Sequence, residues 1–215
     1  MRAFPIAALL FAISSARGYD PLAAGPDPAQ VDRTFPSQVA SRAVPVRIFL
    51  PENREPAPVI LFSHGLGGSR EGSNFLGRHW SSRGYVTVFL QHPGSDSEVW
   101  RGHTPVDAFA ALKRAANVGN RILRVGDVSA VLVALERANA NPADELHGRL
   151  DMKHVGMSGH SIGAVTTQTL CGERFGSPAR PKSLKDPRIT AAILMSPSPS
   201  ERNTPEFSFH AVDIP

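Results

Sequence analysis

Cysteine is nearly missing from these 215 residues, and Cys171 stands alone. A single thiol cannot close an internal disulfide, so the fold must rest on its apolar core. Cys171 is accordingly expected as a small buried side chain rather than a reactive thiol. Charge of one sign is also scarce: 19 Asp and Glu are interleaved with 23 Lys and Arg, for a formal net charge of +4. Without a basic run that could track a phosphate backbone, no nucleic-acid partner is expected. No apolar run is long enough to span a bilayer, which argues against a stable membrane anchor. Internal repeats are absent, and His79, His147 and His154 show no ligand spacing, so neither a metal nor a cofactor is expected.

What is present suits one domain with one sizeable core, since 41% of the chain is hydrophobic. The chain opens with Arg2, an apolar stretch at residues 6–13 (IAALLFAI) and the small residues Ser14, Ser15 and Ala16. That is the pattern of an export signal, residues 1–16, cleaved after Ala16, and it implies a secreted or periplasmic protein. Residues 17–38, polar and dotted with proline, are expected as an extended leader, with the folded domain beginning at residue 39.

Beyond the leader, short apolar runs alternate with helical patterns. Residues 44–50 (VPVRIFL) alternate with period two, and residues 58–62 (PVILF) and 86–90 (VTVFL) are continuous β-branched runs that read as buried strands. Between the latter two, residues 74–83 carry Phe75, Leu76, His79 and Trp80 at helical spacing and stop at Gly84. Strand, helix, strand implies a parallel pair with a crossover. Helices are expected from the Thr104-Pro105 cap to about Asn117 and over residues 120–139, where Ile122, Val125, Val128, Val131, Leu132 and Leu135 share a face. A short strand at residues 154–157, a helix at 164–170 and a strand at 189–195 (ITAAILM) complete an α/β pattern.

Two turns carry chemistry. Gly159-His160-Ser161-Ile162-Gly163 fits Gly-x-Ser-x-Gly and lies between a strand and a helix, the setting in which that turn holds a serine hydroxyl out above a sheet. The glycines leave room for neighbouring backbone, Ser161 is the candidate nucleophile, and the amide of Ile162 at the helix start is positioned for a developing oxyanion. The second turn, Ser63-His64-Gly65-Leu66-Gly67-Gly68, follows the PVILF strand directly. It is where such a sheet would supply a second oxyanion amide, with Leu66 the candidate and Gly67 the next.

Together the run FSHGLGGSREGSNFLGRHWSSRGYVTVFLQHPGSDS and the segment GMSGHSIGAVTTQTL resemble the alpha/beta-hydrolase superfamily. Within it they are similar to the serine esterases related to platelet-activating-factor acetylhydrolases and to dienelactone-hydrolase-like proteins. The resemblance spans residues 44–197. It implies a mostly parallel sheet flanked by helices, the nucleophile at Ser161, and oxyanion amides at Leu66 and Ile162. The substrate implied is a small-molecule, lipid or polymer ester.

A serine hydroxyl needs an imidazole to take its proton and a carboxylate to hold that imidazole, in this fold in the order Ser, Asp or Glu, His. After Ser161 the only histidine is His210, and the acids are Glu173, Asp186, Glu201, Glu206 and Asp213. Asp186 precedes the ITAAILM strand and should lie far from the elbow. Relatives carry the acid after that strand, where this sequence reads Met195, Ser196 and Pro197, or one strand later. The expectation is therefore an N-terminal portion of a hydrolase domain, residues 39–215, with the C-terminal strands and helices, the acid and the base lying elsewhere. His210 with an unusual acid is the alternative base. His64 is expected to brace the oxyanion loop, His92 and His160 to border the pocket with Gly65 and Gly67, and Trp100 and His103 to stand near its mouth. Three functions fit: an esterase acting through an acyl-enzyme, a peptidase or acyltransferase on the same fold, or a hydrolase-like binding protein without the base.

Overall fold

The computed structural model describes residues 20, 23, 25–37, 39–197 and 203–215, so the expected export signal lies outside the described residues. Six strands form the main sheet in the order β1-β2-β4-β3-β5-β8. They are β1 (Ala29–Ser37), β2 (Arg42–Leu50), β3 (Ala57–Ser63), β4 (Val86–Leu90), β5 (Leu150–His160) and β8 (Ile189–Met195). β3, β4, β5 and β8 run parallel, and β1 and β2 pair antiparallel. A mostly parallel sheet is the architecture that the alternating pattern implies. β4 is buried along its whole length, as a central strand covered on both faces must be.

Helices cover both faces. α1 (Asn74–Ser81) links β3 to β4 and lies on a cluster of Phe49, Phe62 and Phe89, to which Leu76 and Trp80 add. Phe62 and Phe89, register partners on β3 and β4, stack with centroids 4.7 Å apart, and Phe49 meets Phe89 edge to face at 5.7 Å, both favoured aromatic geometries. The opposite face holds the larger core, where Val128, Val131, Leu132 and Leu135 of α3 (Val118–Ala140) meet Val59, Leu61, Val88, Val155 and Met157 of the sheet. α4 (Ile162–Cys171) packs beside α3 against β5 and β8. It is buried although it carries three threonines in its core turns. Thr166, Thr167 and Thr169 return their hydroxyls to the carbonyls of Ile162, Gly163 and Val165 at 2.9–3.0 Å, which removes the penalty of burying them. Cys171 at its end is buried, and burial pushes the thiol up to about 11, so it stays protonated.

α2 (Pro105–Ala115) begins on Thr104, whose side chain accepts from the amide of Asp107, and α3 begins on Asn117, which accepts from Asn120 in the same way. An exposed hairpin, β6 (Arg174–Ser177) with β7 (Arg180–Ser183), and the short α5 (Pro205–Phe209) complete the described elements. Among the described residues no helix is long and apolar enough to cross a membrane.

The sheet starts earlier than the composition suggests. Residues 29–37, expected within an extended leader, form β1. Only Val31 and Phe35 among them point apolar groups toward the core, so the strand lacks a hydrophobic signature. Partners distant in sequence hold it in place: Asp32 accepts two hydrogen bonds from Arg47 at 2.8 Å, and Arg33 reaches Asp144 at 2.8 Å. Pro36 is tolerated because β1 is an edge strand.

Candidate functional site

Parallel strands end on the same side, so Ser63 of β3, Leu90 of β4, His160 of β5 and Met195 of β8 all deliver their following loops to one edge of the sheet. Ligands bind at that carboxyl edge in open α/β sheets. A cleft of about 340 Å³ opens there between residues 64–73 and the turn at His160 and Ser161.

Ser161 is the hinge from β5 into α4. Its φ of 55° and ψ of −121° put a residue with a side chain where few can sit. The neighbouring glycines explain how. A Cβ on Gly159 would stand 2.8 Å from the amide nitrogen of Ala164, and one on Gly163 would stand 2.7 Å from the carbonyl carbon of Ser63 with the oxygen closer still. Neither position has room for a methyl group, so β5, the turn and the start of α4 press directly onto β3. Ser161 is tied to β8 by its amide, which donates to the carbonyl of Met195 at 2.9 Å. Ile162 is the first residue of α4, where amides have no intrahelical acceptor.

The loop after β3 faces this turn. A Cβ built on Gly65 would lie 3.7 Å from the Cβ of Ser161, so the Gly65-Leu66 backbone stands over the serine. His64, Gly65, Leu66 and Gly67 line the cleft with His160 and Ser161. A second loop, after β4, is zipped to the first. Gly67 donates to the carbonyl of Ser95 at 2.9 Å and Ser97 to that of Gly68 at 2.8 Å, while the Trp100 indole donates to the Gly67 carbonyl at 2.7 Å.

Beneath these loops lies a polar layer sealed from solvent. His92, Asp127, Arg124 and Ser63 are all 0% exposed. His92 was expected to border the pocket and does not. It sits below the loop because Asp127 and Ser63 capture both ring nitrogens, Nδ1 at 2.8 Å and Nε2 at 3.0 Å. Asp127 also accepts a two-pronged pair from Arg42, through Nε at 2.9 Å and through Nη2. Paired through both oxygens with the Arg42 guanidinium, Asp127 acts as the acceptor toward His92, so Nδ1 of His92 is assigned the hydrogen and the Ser63 hydroxyl donates to Nε2. Serine, histidine and aspartate thus stand in relay geometry, with the hydroxyl under the loop and away from the cleft. Burial, reinforced by the Arg124 and Arg42 charges, holds His92 well below its ordinary range. Burial also pushes the Asp127 carboxyl up, against the opposing pull of Arg42.

His64 braces the loop from inside. The backbone amide of His92 donates to its Nε2 at 3.2 Å, which leaves the hydrogen on Nδ1, 2.6 Å from the carbonyl of Gly65. Burial, with His92 and Arg124 beside it, lowers this imidazole to about 2, so it is neutral. Arg124 completes the layer. Its Nη1 donates to the His64 carbonyl at 2.7 Å and to Ser63 Oγ at 3.3 Å, its Nε to Ser95 Oγ at 2.8 Å, and its Nη2 reaches the carbonyls of Ser95 and Gly65 at 3.3 and 3.4 Å. Burial lowers it to about 10, which leaves it cationic at neutral pH. Arg124 and Asp127 went unremarked in the sequence. The signal that could have found them is their place in the α3 stripe, where positions 124, 127, 128, 131 and 135 are buried and two of them carry charge.

The other candidates fall elsewhere. Among the described residues no side chain hydrogen-bonds to the Ser161 hydroxyl. His210 is next to Ala211, which abuts Gly172 at the C-terminal end of α4. Ten helical residues at 1.5 Å each put that end roughly 15 Å from Ser161. Asp186 accepts from Ser129 and Arg188 at the entrance to β8, and Asp213 pairs with Lys185. His103 is exposed and lines no part of the cleft. No group of three or more metal-ligating side chains occurs among the described residues.

Comparison with known proteins bears on the fold. Residues 27–101, less than half of the chain, match the family model of platelet-activating factor acetylhydrolase, isoform II. The match covers both zipped loops and stops before Ser161. Among solved structures the chain is similar to an acylaminoacyl peptidase from Pyrococcus horikoshii, at 20% identity and a TM-score of 0.52 over 79% of this chain and 23% of that one. It is also similar to an epoxide hydrolase from Vigna radiata, at 20% identity and a TM-score of 0.50 over 81% of this chain and 40% of that one. The chain has the alpha/beta-hydrolase fold. A dienelactone hydrolase from Anabaena variabilis aligns at 15% identity and a TM-score of 0.47, over 78% of this chain and 63% of its own. No curated protein matches the chain. The chain spans less than two thirds of each of these alpha/beta-hydrolase structures.

Proposed function

We propose that this protein is an exported serine hydrolase that cleaves carboxylic esters through an acyl-enzyme on Ser161. The observation that carries the reading is the Ser161 turn: a strained serine at the start of a buried helix, held on two glycines that admit no side chain, facing a glycine-rich loop. In the proposed reaction Ser161 Oγ attacks the acyl carbonyl as a base takes its proton. The amides of Leu66 and Ile162 receive the oxyanion, and the proton passes to the departing alkoxide. Water then attacks the acyl-enzyme and returns the hydroxyl to Ser161. The acetylhydrolase family match favours a short acyl group. The base is a role that the described residues around Ser161 do not fill, so the test needs two chains.

Hydrolysis of p-nitrophenyl acetate and butyrate is to be measured for residues 1–215 and for the product read through to the stop codon of the gene, each beside its Ser161→Ala variant. Turnover that Ser161→Ala abolishes, together with fluorophosphonate labelling of Ser161, supports the reading. Labelling in neither chain would favour a hydrolase-like binding protein. N-terminal sequencing of the exported product should begin at Arg17; retention of residues 1–16 would contradict export.

A further inference from the structure

The buried layer contains a cation without a direct ion pair: Asp127 and Asp96 act on Arg124 only through space. Among the described residues no carboxylate comes within ion-pair distance of Arg124, and Asp127, its nearest acid on α3, is taken by Arg42 and His92. Burying a guanidinium in this way is costly unless its donors are used. Here they are spent on the two loops at the carboxyl edge: the carbonyls of His64, Gly65 and Ser95 and the hydroxyls of Ser63 and Ser95.

The direction of those bonds matters more than their number. A peptide is planar and trans, so its C=O and N–H point opposite ways. Drawing the His64 carbonyl inward at 2.7 Å turns the Gly65 amide outward. The Gly65 carbonyl is drawn inward by His64 Nδ1 at 2.6 Å and by Arg124 at 3.4 Å, and the Gly68 amide, at 3.0 Å, closes the loop's own turn on it. That turns the Leu66 amide toward the cleft. Among the described residues neither amide has another acceptor. We propose that Arg124 is the positioning residue of the oxyanion loop: from beneath the sheet edge it orients the Gly65-Leu66 peptide so that the Leu66 amide faces Ser161. The Ser63–His92–Asp127 relay is the strut that seats this layer, not a second reacting centre, because its hydroxyl opens onto no cleft. The inference rests on the esterase reading for its chemistry and on the loop geometry alone for its structure.

The test has one arm for each. In the first, amide hydrogen exchange of the Ser63 to Gly68 segment is compared between the wild type, Arg124→Met and Arg124→Lys, with β4 as internal reference. The expected result is a loss of protection at Gly67 and Gly68 of about tenfold or more in Arg124→Met and less in Arg124→Lys, with β4 unchanged; equal protection in all three overturns the proposal. In the second, kcat and KM for p-nitrophenyl butyrate are measured on the chain that turns over. Removing an oxyanion donor outright costs about 10²–10³ in kcat, so misaiming one should lower kcat about 10- to 100-fold in Arg124→Met with KM within twofold, and Arg124→Lys should recover part of it. A change in KM alone, or kcat within twofold of wild type, overturns the proposal. If no wild-type chain turns over, the esterase reading fails and the exchange arm still decides whether Arg124 sets the loop. Should Arg124→Met not fold, Ser95→Ala removes one acceptor of the same guanidinium and should show the same two effects about threefold to tenfold in size.

Discussion

Three neighbouring residues divide the work of the turn between them. Ser161 holds a conformation that disfavours any side chain, and Gly159 and Gly163 make it reachable by leaving backbone in contact with backbone. A non-glycine residue in a sparsely populated region costs about 1–3 kcal/mol, while a new glycine costs about 0.5–1 kcal/mol in the unfolded chain. Ser161→Gly should therefore be more stable than Ser161→Ala by about 1 kcal/mol in denaturant unfolding, with both inactive. A glycine variant less stable than the alanine variant would mean that the turn is unstrained. Gly163→Ala tests the close approach. Its Cβ would overlap the backbone of β3, which cannot yield as a flexible side chain would, so a loss of about 4 kcal/mol or more is expected, read as a collapse of soluble yield or of the unfolding midpoint. Wild-type stability in that variant would refute the packing described here.

At the scale of elements, α3 is both a core helix and the floor of the site. Its apolar positions were legible because they recur with the helical period, and so was the order from β2 through α4 to β8, apart from the β6–β7 hairpin. The roles of Arg124 and Asp127 were not, because burial of a charge depends on partners elsewhere in the chain: Ser63 is 61 residues from Arg124, and Arg42 is 85 from Asp127. The layer makes stability depend on pH. His64 is lowered to about 2 and His92 lies well below its ordinary value, so both are neutral when folded and take up protons on unfolding below pH of about 6.5. Their contribution is complete above that value and is lost as the pH falls. Between pH 7.5 and pH 5 His64 alone should account for about 2 kcal/mol. His92 adds in the same direction, and Asp127, raised by burial, offsets part of the loss at the acid end. Urea unfolding at the two pH values checks this; equal stability, or greater stability at pH 5, would contradict neutral buried imidazoles.

For the whole molecule, the open side of the sheet is the feature with consequences. β8 is the edge strand beyond β5, with Ile193 56% and Leu194 39% exposed, and the described chain covers that edge at one point, where Ala192 donates to the carbonyl of Pro215 at 2.9 Å. An exposed apolar edge invites pairing between chains. Residues 1–215 should self-associate with rising concentration, and Ile193→Lys should reduce light scattering across a concentration series without changing the far-ultraviolet circular dichroism. Scattering unchanged by Ile193→Lys would place the association elsewhere.

The sequence by itself determined the α/β order, the buried central strands and the glycine-flanked serine between strand and helix. Each of these is written in a local period or a local steric demand, within a span of a few residues. Tertiary structure alone decided that residues 29–37 join the sheet, that His92 turns away from the cleft, that His210 ends up by the far end of α4, and that Arg124 lies beneath the oxyanion loop. All four depend on which distant groups meet once the sheet has assembled, because a charge or a ring nitrogen goes where its desolvation is repaid by a partner, and no local pattern names that partner.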